Sequence, residues 1–512
     1  MLSKVYSATL QGLNAIPVSI ETSSEPSTDH SSFIIVGLPD NAVKESQERV
    51  QTALRVNNFS QNERRTVVSL APADLRKEGS GFDLPIAIGL LASYGVLTEE
   101  RLERFMFVGE LGLDGSILPV KGCLPIAIKA RAQKFEALFV PEENAREAAV
   151  VDTLKVYGVR HLNDVISILR GQTLFAPTEV NTREEFYANQ SIFDCDFSEV
   201  KGQENVKRAF EVAAAGGHNI ILVGSPGCGK SMMAKRLPSI LPPLTLEESL
   251  ETTQIHSVAG KLQRHSTLIS QRPFRAPHHT VSDVALVGGG ATFMPGEICL
   301  AHNGVLFLDE LPEFSRNVLE TLRQPLEDRL ITVSRARYNL TLPCSFMLVA
   351  SMNPCPCGYH GDAQHDCVCT PGQIQRYMNR ISGPLLDRID IHCEIQAVPF
   401  AELSQMQPGE SSAAIREHVV GARKIQELRF RNCQGIYCNA QMTERMLHEF
   451  AEPDAASLNI LRMAMERMKL SARAYTRILK LARTIADLEG ADNVQSHHIA
   501  EAIGYRALDR GN

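Results

Sequence analysis

The sequence lacks the features that would indicate a membrane, secreted or repetitive protein. No apolar run approaches the ~20 residues of a membrane-spanning helix, and the N-terminus lacks the charged and then apolar layout of a secretory signal. Neither solenoid repeats nor low-complexity runs are present in the sequence. Acidic residues (59) outnumber lysine and arginine (52), which gives a net charge of −7. We therefore expect a cytoplasmic protein without a membrane partner, in which any positive charge for nucleic acid is local.

The size and composition are those of a globular protein with several domains. The chain has 512 residues, of which 44% are hydrophobic and 22% are charged. This length predicts about three domains. The 12 cysteines are expected to be thiols or metal ligands rather than disulfides, because the cytoplasm is reducing.

One stretch fits the phosphate-binding pattern GxxxxGK[ST]. Its residues are Gly224, Ser225, Pro226, Gly227, Cys228, Gly229, Lys230 and Ser231. An apolar run at 219–223 predicts a buried strand before it, and residues 232–237 predict the start of a helix after it. Glycines let backbone N–H groups face a polyphosphate, while Lys230 adds a positive charge and Ser231 a hydroxyl for Mg²⁺. The stretch predicts an ATP and Mg²⁺ site, and the alternative is a turn that only joins strand to helix.

A second predicted strand ends in two carboxylates. The apolar residues 305–308 are followed by Asp309 and Glu310. A nucleotide-hydrolysing sheet holds Mg²⁺ and the attacking water at such a strand end. We assign Asp309 to the metal and Glu310 to the water. A solvated acidic strand end is the alternative.

Four cysteines form a separate local cluster. They are Cys355, Cys357, Cys367 and Cys369, spaced as two CxC pairs nine residues apart. Four thiolates suit a structural Zn²⁺ site, although the single intervening residue strains chelation. His360 or His365 could replace one thiol, and a loop without metal is the main alternative.

Two further segments lie between the nucleotide motifs. Residues 329–342 show the residue alternation of a strand and then a turn signal. This predicts a β-hairpin with Arg335 and Arg337 at or near its tip. His278 and His279 lie in a Pro-rich segment, where we favour a loop contact over a metal site. From about residue 399 onward, apolar residues recur every three or four positions, which predicts helices.

The order of these motifs resembles AAA+ ATPases of the magnesium-chelatase and MCM branch. Segment 196–203 resembles the one that lies over the adenine, and Asn353, after an apolar strand, matches the polar residue called sensor 1. Arg388 matches the arginine finger, which reaches the γ-phosphate of a neighbouring subunit in a ring. Arg473 matches sensor 2, with Arg477 and Lys469 nearby in the sequence.

The resemblance also gives the hairpin a role. In a ring of this branch the hairpin projects into the central pore, so Arg335 and Arg337 are the implied DNA-binding residues.

The N-terminal part resembles the Lon-protease-like domain that is fused to several ATPases. The similarity lies in residues 78–86 and in residues 109–120. Asp83 and Leu124 occupy the positions of the nucleophile and the base, and neither residue can perform that chemistry. The resemblance therefore implies the fold without the peptidase. Ser80 and Lys121 are the nearby alternatives if the alignment is shifted.

The whole arrangement resembles the YifB/ComM family over nearly the full chain. This implies an α/β chain with a Lon-protease/S5-like α+β domain at 1–170 and a linker at 171–195. An AAA+ P-loop domain with a parallel sheet follows at 196–398, and a helical lid domain at 399–512. The resemblance implies an ATP hydrolase that forms a homo-hexamer on single-stranded or branched DNA, because ComM members are branch-migration helicases of natural transformation.

Two other functions remain open at this point. The first is a remodelling ATPase with a protein client, similar to the magnesium-chelatase motor subunit. The second is a scaffold that does not use nucleotide, and the intact Lys230, Asp309 and Glu310 weigh against it.

Overall fold

Two units make up the chain, and they interleave in sequence. A computed structural model describes residues 2–27, 32–59, 64–172, 175–263, 265–290, 293–335, 338–362, 364–396, 409–506 and 508. The first unit contains Met1–Asn189, Thr245–Ser270 and Gly290–Pro295. The second contains Gln190–Leu244, Gln271–Gly289 and Gly296–Asn512. The predicted domain boundaries remain predictions, and the segment after the P-loop helix is grouped with the N-terminal part.

A mixed seven-stranded sheet forms the centre of the first unit. The strands in this part of the chain are β1 (Leu2–Gln11), β2 (Asn14–Pro26), β3 (Ser32–Val36), β4 (Arg64–Ala71), β5 (Phe105–Phe107), β6 (Glu110–Leu111), β7 (Ile117–Leu118), β8 (Ala137–Pro141) and β9 (Lys155–Val159). The sheet order is β3-β4-β2-β1-β5-β8-β9, and β6 pairs with β7 separately. Strand β2 runs antiparallel to β1 and β4, and the other neighbours are parallel. Alternating residues of β1 and β2, such as Val5, Val18 and Ile20, are fully buried against helices.

The helices of this part cover the sheet. They are α1 (Asn41–Val56), α2 (Asp83–Ser93), α3 (Cys123–Ala132), α4 (Glu142–Ala148), α5 (Leu162–Leu169) and α6 (Thr182–Asn189). Every residue of α2 is buried. This helix therefore has no solvated face, and its single carboxylate needs a partner inside the protein.

Arg49 provides that partner for Asp83. Its Nε donates to Asp83 Oδ2 at 2.6 Å and its Nη2 to Oδ1 at 3.0 Å. The Ser46 hydroxyl and the Leu111 N–H also donate to this carboxylate. Burial raises the pKa of Asp83, while the hydrogen bonds from Arg49 and Ser46 oppose the rise. The residue at the predicted nucleophile position is thus fixed in a structural ion pair.

The other three residues compared with Lon proteases are likewise buried or in contact with a neighbouring side chain. Leu124 is fully buried in α3. The Ser80 hydroxyl donates to Glu110, and Lys121 Nζ lies 3.9 Å from Met294 Sδ. The proteolytically inactive Lon-like assignment stays a prediction.

A parallel five-stranded sheet forms the centre of the second unit. The remaining strands of the chain are β10 (Ile220–Gly224), β11 (Phe274–Arg275), β12 (Gly288–Gly289), β13 (Met294–Pro295), β14 (Val305–Leu308), β15 (Leu330–Arg335), β16 (Tyr338–Pro343), β17 (Met347–Met352) and β18 (Ile391–Ile395). The sheet order is β11-β14-β17-β10-β18, with each pair parallel. The predicted parallel sheet around the P-loop strand is confirmed.

The remaining helices lie between Glu204 and Gly504. They are α7 (Glu204–Gly216), α8 (Lys230–Arg236), α9 (Leu246–Val258), α10 (Asp283–Val287), α11 (Glu297–Leu300), α12 (Arg316–Thr321), α13 (Arg323–Asp328), α14 (Pro371–Met378), α15 (Gly383–Leu386), α16 (Ser412–Phe430), α17 (Glu444–Phe450), α18 (Ala455–Met468), α19 (Ala472–Leu488) and α20 (Ser496–Gly504). The predicted helical C-terminal region is confirmed by α16 to α20. Within the described residues, no helix has the length and apolarity needed to cross a membrane.

The C-terminal helices share a hydrophobic core with the parallel sheet. Ile478, Leu481 and Ile485 lie on one face of α19 and are fully buried. They belong to the same cluster as Ile220 and Leu222 of the P-loop strand. The helical region is therefore held to the sheet by apolar burial.

Helix α9 belongs to the first unit although it follows the P-loop helix in sequence. Gln254 Nε2 donates to the Leu13 carbonyl at 2.7 Å, and the Gly122 N–H donates to the Ser257 carbonyl at 3.1 Å. These bonds join α9 to the turn after β1 and to the start of α3.

The predicted hairpin is confirmed. Strands β15 and β16 pair antiparallel from Leu330 opposite Pro343 to Arg335 opposite Tyr338. Arg335 is exposed at the end of β15, and Arg337 lies outside the described residues.

Candidate nucleotide and metal site

The predicted nucleotide residues meet at one edge of the parallel sheet. Strand β10 ends at the P-loop, β14 ends just before Asp309, and β17 ends just before Asn353. Because neighbouring strands run in the same direction, their carboxyl ends lie side by side. The structure thus brings together three motifs that are separated by up to 130 residues in the sequence.

Glycines shape the P-loop at two positions. A Cβ at Gly224 would lie 2.3 Å from the Ile395 carbonyl oxygen on β18, so only glycine fits there. Gly229 has φ 95°, a conformation that side chains disfavour. It directly precedes α8, which begins at Lys230, and the turn leaves the N-terminal N–H groups of α8 beside the loop.

Lys230 connects the P-loop to the end of β17. Its ammonium donates to the carbonyls of Gly224 at 2.7 Å and Ser225 at 2.9 Å. It also donates to Asn353 Oδ1 at 3.1 Å. The predicted phosphate-binding lysine and the predicted sensor 1 residue are therefore in direct contact.

Asp309 is held by two serine hydroxyls. Ser231 donates to Asp309 Oδ2 at 2.7 Å, and Ser351 donates to the other carboxylate oxygen. Hydroxyl and carboxylate oxygens are the ligands that Mg²⁺ prefers, and bonds of about 2.1 Å at right angles would separate two of them by about 3 Å. Ser231 and Asp309 therefore fit a shared Mg²⁺ ion.

Glu310 lies in a left-handed turn directly after Asp309. Its φ is 54°, and its N–H lies 3.2 Å from Asp309 Oδ1 and 3.3 Å from Ser351 Oγ. The Glu310 side chain is 55% exposed, and its Oε2 lies 3.7 Å from His279 Nδ1. The carboxylate is therefore open to solvent at the strand edge, where a water molecule can reach it.

The predicted arginine finger is buried within its own chain. Arg388 is 6% exposed, and it forms an ion pair with Glu327. Its Nη1 donates to the Pro384 carbonyl at 2.5 Å. A contact with a neighbouring subunit would require this side chain to leave Glu327.

The predicted sensor 2 residue has a different environment from its neighbour on α19. Arg473 is exposed, with Nη1 3.5 Å from Asp387 Oδ2. Arg477 instead pairs with buried Asp390 at 2.7 Å. Burial acts to raise the pKa of Asp390, but the charge of Arg477 and the His218 hydrogen bond prevail and hold it well below its usual range. Arg477 is thus committed to a structural network, which leaves Arg473 as the more available of these two arginines.

The four predicted thiols form one cluster. Cys355 Sγ lies 3.3 Å from Cys357 Sγ and 3.7 Å from Cys367 Sγ, and all four sulfur atoms lie within 4.8 Å of one another. A tetrahedral zinc with Zn–S bonds of about 2.3 Å places its sulfurs about 3.8 Å apart. The N–H of Tyr359 donates to Cys357 and lowers its pKa to about 6, while the pKa of Cys367 is raised to about 12 and that of Cys369 is also raised, so Cys357 is the first of these three thiols to become a thiolate. The thiols therefore fit a zinc ion.

A second group of potential ligands does not fit a metal. His497 and His498 each place Nε2 within 3.0 Å of one Glu489 oxygen. His498 Nδ1, however, accepts the Gln495 N–H at 2.8 Å. The neutral ring then carries its proton on Nε2, where it donates to Glu489, and offers no lone pair to a metal there.

Three stretches of the chain match families described for magnesium chelatase. Residues 196–403 match "Magnesium chelatase, subunit ChlI", residues 21–144 match "Subunit ChlI of Mg-chelatase", and residues 409–506 match "Magnesium chelatase, subunit ChlI C-terminal". Competence protein ComM of Haemophilus influenzae is 44% identical over 99% of this chain and 98% of its own length. The chain belongs to the YifB/ComM family. YifB of Escherichia coli is 41% identical over 99% of this chain and 98% of its own length.

The similarity to magnesium chelatase itself is more restricted. Subunit ChlI of Chlorella vulgaris is 26% identical over 31% of this chain and 51% of its own length. The mixed α/β architecture with a parallel sheet and a helical C-terminal region fits an AAA+ protein of this type.

Sequence reasoning missed two contacts of the candidate site. The first is Ser351, whose only signal is a hydroxyl in an otherwise apolar strand that runs beside β14. The second is His279, which lies near Glu310. Its type and position in the sequence gave no indication of that partner.

Two substitutions test the nucleotide site. Lys230→Ala should weaken ATP binding by about tenfold or more, because it removes a charged donor, and such bonds contribute about 1.5–3 kcal/mol. Glu310→Gln should retain ATP binding and lower kcat about 10²–10⁴-fold, because only water activation is lost. Calorimetric titration and steady-state ATPase assays measure both effects.

The matched control is Lys235→Ala, which removes an exposed lysine from the same helix. It should bind and hydrolyse ATP like the parent protein. A Glu310→Gln protein with parental turnover would contradict the assignment.

Proposed function

We propose that this protein is an AAA+ ATP hydrolase that works as a homo-hexameric DNA motor of the ComM branch-migration helicase type. The observation that carries the proposal is the convergence of the P-loop, Asp309, Glu310 and Asn353 on one sheet edge. This arrangement has a group for each requirement of phosphoryl transfer to water.

Each of these residues has an assigned part. The P-loop N–H groups and Lys230 bind the phosphates, and Ser231 with Asp309 holds Mg²⁺, which neutralises charge on the transferred phosphoryl group. Glu310 accepts a proton from the attacking water. Asn353 orients the γ-phosphate or that water. Arg388 supplies positive charge to the neighbouring subunit's site, so hydrolysis depends on the ring.

Two arguments favour DNA as the substrate. A relative that matches over 98% of its own length is named competence protein ComM, and the family resemblance implies that ComM members act on DNA. The chain has a net charge of −7, so attraction to phosphates needs a few placed cations. Arg335 on the hairpin, and Arg337 two residues later in the sequence, would repeat around a ring and concentrate positive charge at its pore.

The thiol cluster supports a structural zinc as a further part of the proposal. Four thiolates fill a tetrahedral shell and leave no position for substrate, so we assign the metal to structure and not to catalysis.

A protein-remodelling motor is the competing function, because the family descriptions that match are those of magnesium chelatase. Substitutions in the hairpin distinguish the DNA motor from the protein-remodelling motor. Arg335→Ala/Arg337→Ala should abolish stimulation of the ATPase by DNA and flatten the slope of log affinity against log salt by about one unit for each lost phosphate contact. Fluorescence anisotropy on branched DNA at several salt concentrations measures the slope.

The control is Arg55→Ala/Arg445→Ala, which removes the same charge from exposed positions on α1 and α17. It should keep the parental slope. If the hairpin variant also keeps that slope and still unwinds branched DNA, the pore-hairpin assignment is wrong and the protein-remodelling motor gains support.

The ring requirement is tested by mixing subunits. If Arg388 acts in trans, adding Arg388→Ala protein to wild-type protein should lower ATPase activity more steeply than dilution does. The pure variant should bind ATP with the parental Kd, which separates the trans role from misfolding. A loss that is linear in the fraction of variant means that Arg388 acts in cis or not at all.

Zinc is tested by metal analysis. The native protein should contain one zinc per chain, and Cys355→Ser/Cys357→Ser should lose it, because half of the ligands are removed. Cys195→Ser/Cys433→Ser, which changes two half-buried thiols outside the cluster, should retain it. Native protein without zinc would end the assignment.

A further inference from the structure

The loop that carries the four cysteines touches the P-loop through Gly358. This residue has φ 90°, and a Cβ built on it would lie 2.7 Å from Pro226 Cδ and 2.8 Å from Pro226 Cγ. The Gly358 backbone is therefore packed against the Pro226 ring, with no room for a side chain between them. Pro226 is the third residue of the phosphate-binding stretch.

Asp362 of the same loop carries a negative charge beside this stretch. Its carboxylate accepts the Gln364 N–H at 2.8 Å and the His365 N–H at 3.0 Å. The Gln364 hydrogen bond and the Ser225 hydroxyl lower the pKa of Asp362, so the group is a carboxylate at neutral pH. Ser225 is buried next to Gly224, whose carbonyl accepts from Lys230.

A second connection runs along the chain itself. Asn353, which accepts from Lys230 at 3.1 Å, stands two residues before Cys355. The cysteine loop thus touches the P-loop at Pro226 and is tied to Lys230 at its own beginning. The contact with Pro226 comes from Gly358, which lies between the two CxC pairs.

Ligation of the thiols decides how firmly this segment is held. Fixing the residues of an unconstrained loop costs backbone entropy. A metal bound by Cys355, Cys357, Cys367 and Cys369 would supply that free energy for the intervening residues. The loop would then present Gly358 to the P-loop in one position.

We propose that Gly358 is a positioning residue of the nucleotide site, and that the metal-bound cysteine loop clamps the P-loop in its phosphate-binding conformation. Metal binding then raises nucleotide affinity, and nucleotide raises metal affinity by the same factor, because coupling between two binding sites is reciprocal. This inference rests on the zinc and ATP assignments of the proposed function.

Two glycines of the loop give a matched test. Gly358 and Gly361 both have positive φ, at 90° and 78°, so alanine is strained at both. Only the Cβ at Gly358 meets the P-loop, since nothing lies within 4 Å of a Cβ at Gly361. Gly358→Ala should weaken binding of a fluorescent ADP analogue at least about fivefold, the lower end of ordinary site coupling, with zinc content unchanged. Gly361→Ala should stay within about twofold of the parent, a small difference in free energy.

Zinc affinity gives an independent measurement. In equilibrium competition with the native full-length chain, a chromogenic chelator should need a several-fold higher concentration to extract zinc when ADP is present. That protection should be smaller in Gly358→Ala but not in Gly361→Ala. A purely structural loop would lose its metal at the same chelator concentration with and without nucleotide.

The outcomes separate this inference from the proposals beneath it. Zinc present and ADP bound, but with equal affinity in the two glycine variants and no protection by ADP, overturns the clamp and leaves both assignments intact. Absence of zinc from the native protein overturns the zinc assignment and the metal-dependent clamp together. Failure of the native protein to bind ADP overturns the proposed function itself.

Discussion

The shared direction of the five strands in the second sheet is the constraint on which the candidate site depends. Only a parallel arrangement puts the ends of β10, β14 and β17 at one edge. Lys230 can then reach Asn353, and Ser231 can reach Asp309. Buried apolar strands fix these ends to within hydrogen-bond distances, because one core unites the sheet with the C-terminal helices. The chemistry is therefore positioned by packing.

Polar side chains at this edge also stabilise one another. Asp309 lies at a buried strand end, where an unpaired carboxylate would be costly. Its two hydroxyl donors, Ser231 and Ser351, come from the elements on either side. The metal assigned here would replace a hydrogen bond with a stronger electrostatic contact. The same residues thus stabilise the fold and prepare the ligand set.

Structural elements could be predicted from the sequence wherever the pattern that specifies them is local. The P-loop, the hairpin at 330–343 and the helices α16 to α20 follow from spacing and residue type, which act over a few turns or strands. Contacts between distant segments could not be predicted in this way. The approach of Gly358 to Pro226 depends on how two loops pack, and the grouping of α9 with the first unit depends on tertiary contacts. The burial of Arg388 against Glu327 has no local signal either, because both residues are of types that are usually exposed.

The contacts of the buried Arg388 side chain hold it only weakly in this position. Its Nε is buried without a hydrogen-bond partner in the described part of the chain, and such an orphaned donor costs about 1–3 kcal/mol. Its ion-pair partner Glu327 is 52% exposed, so solvent screens part of the attraction. The γ-phosphate of a bound nucleotide carries more negative charge than one carboxylate and offers several acceptor oxygens to a guanidinium. If the ring places such a phosphate beside this side chain, exchanging Glu327 for it relieves an unsatisfied donor and gains a stronger partner. The closed position of Arg388 is therefore consistent with a finger that extends only when a neighbouring subunit presents nucleotide.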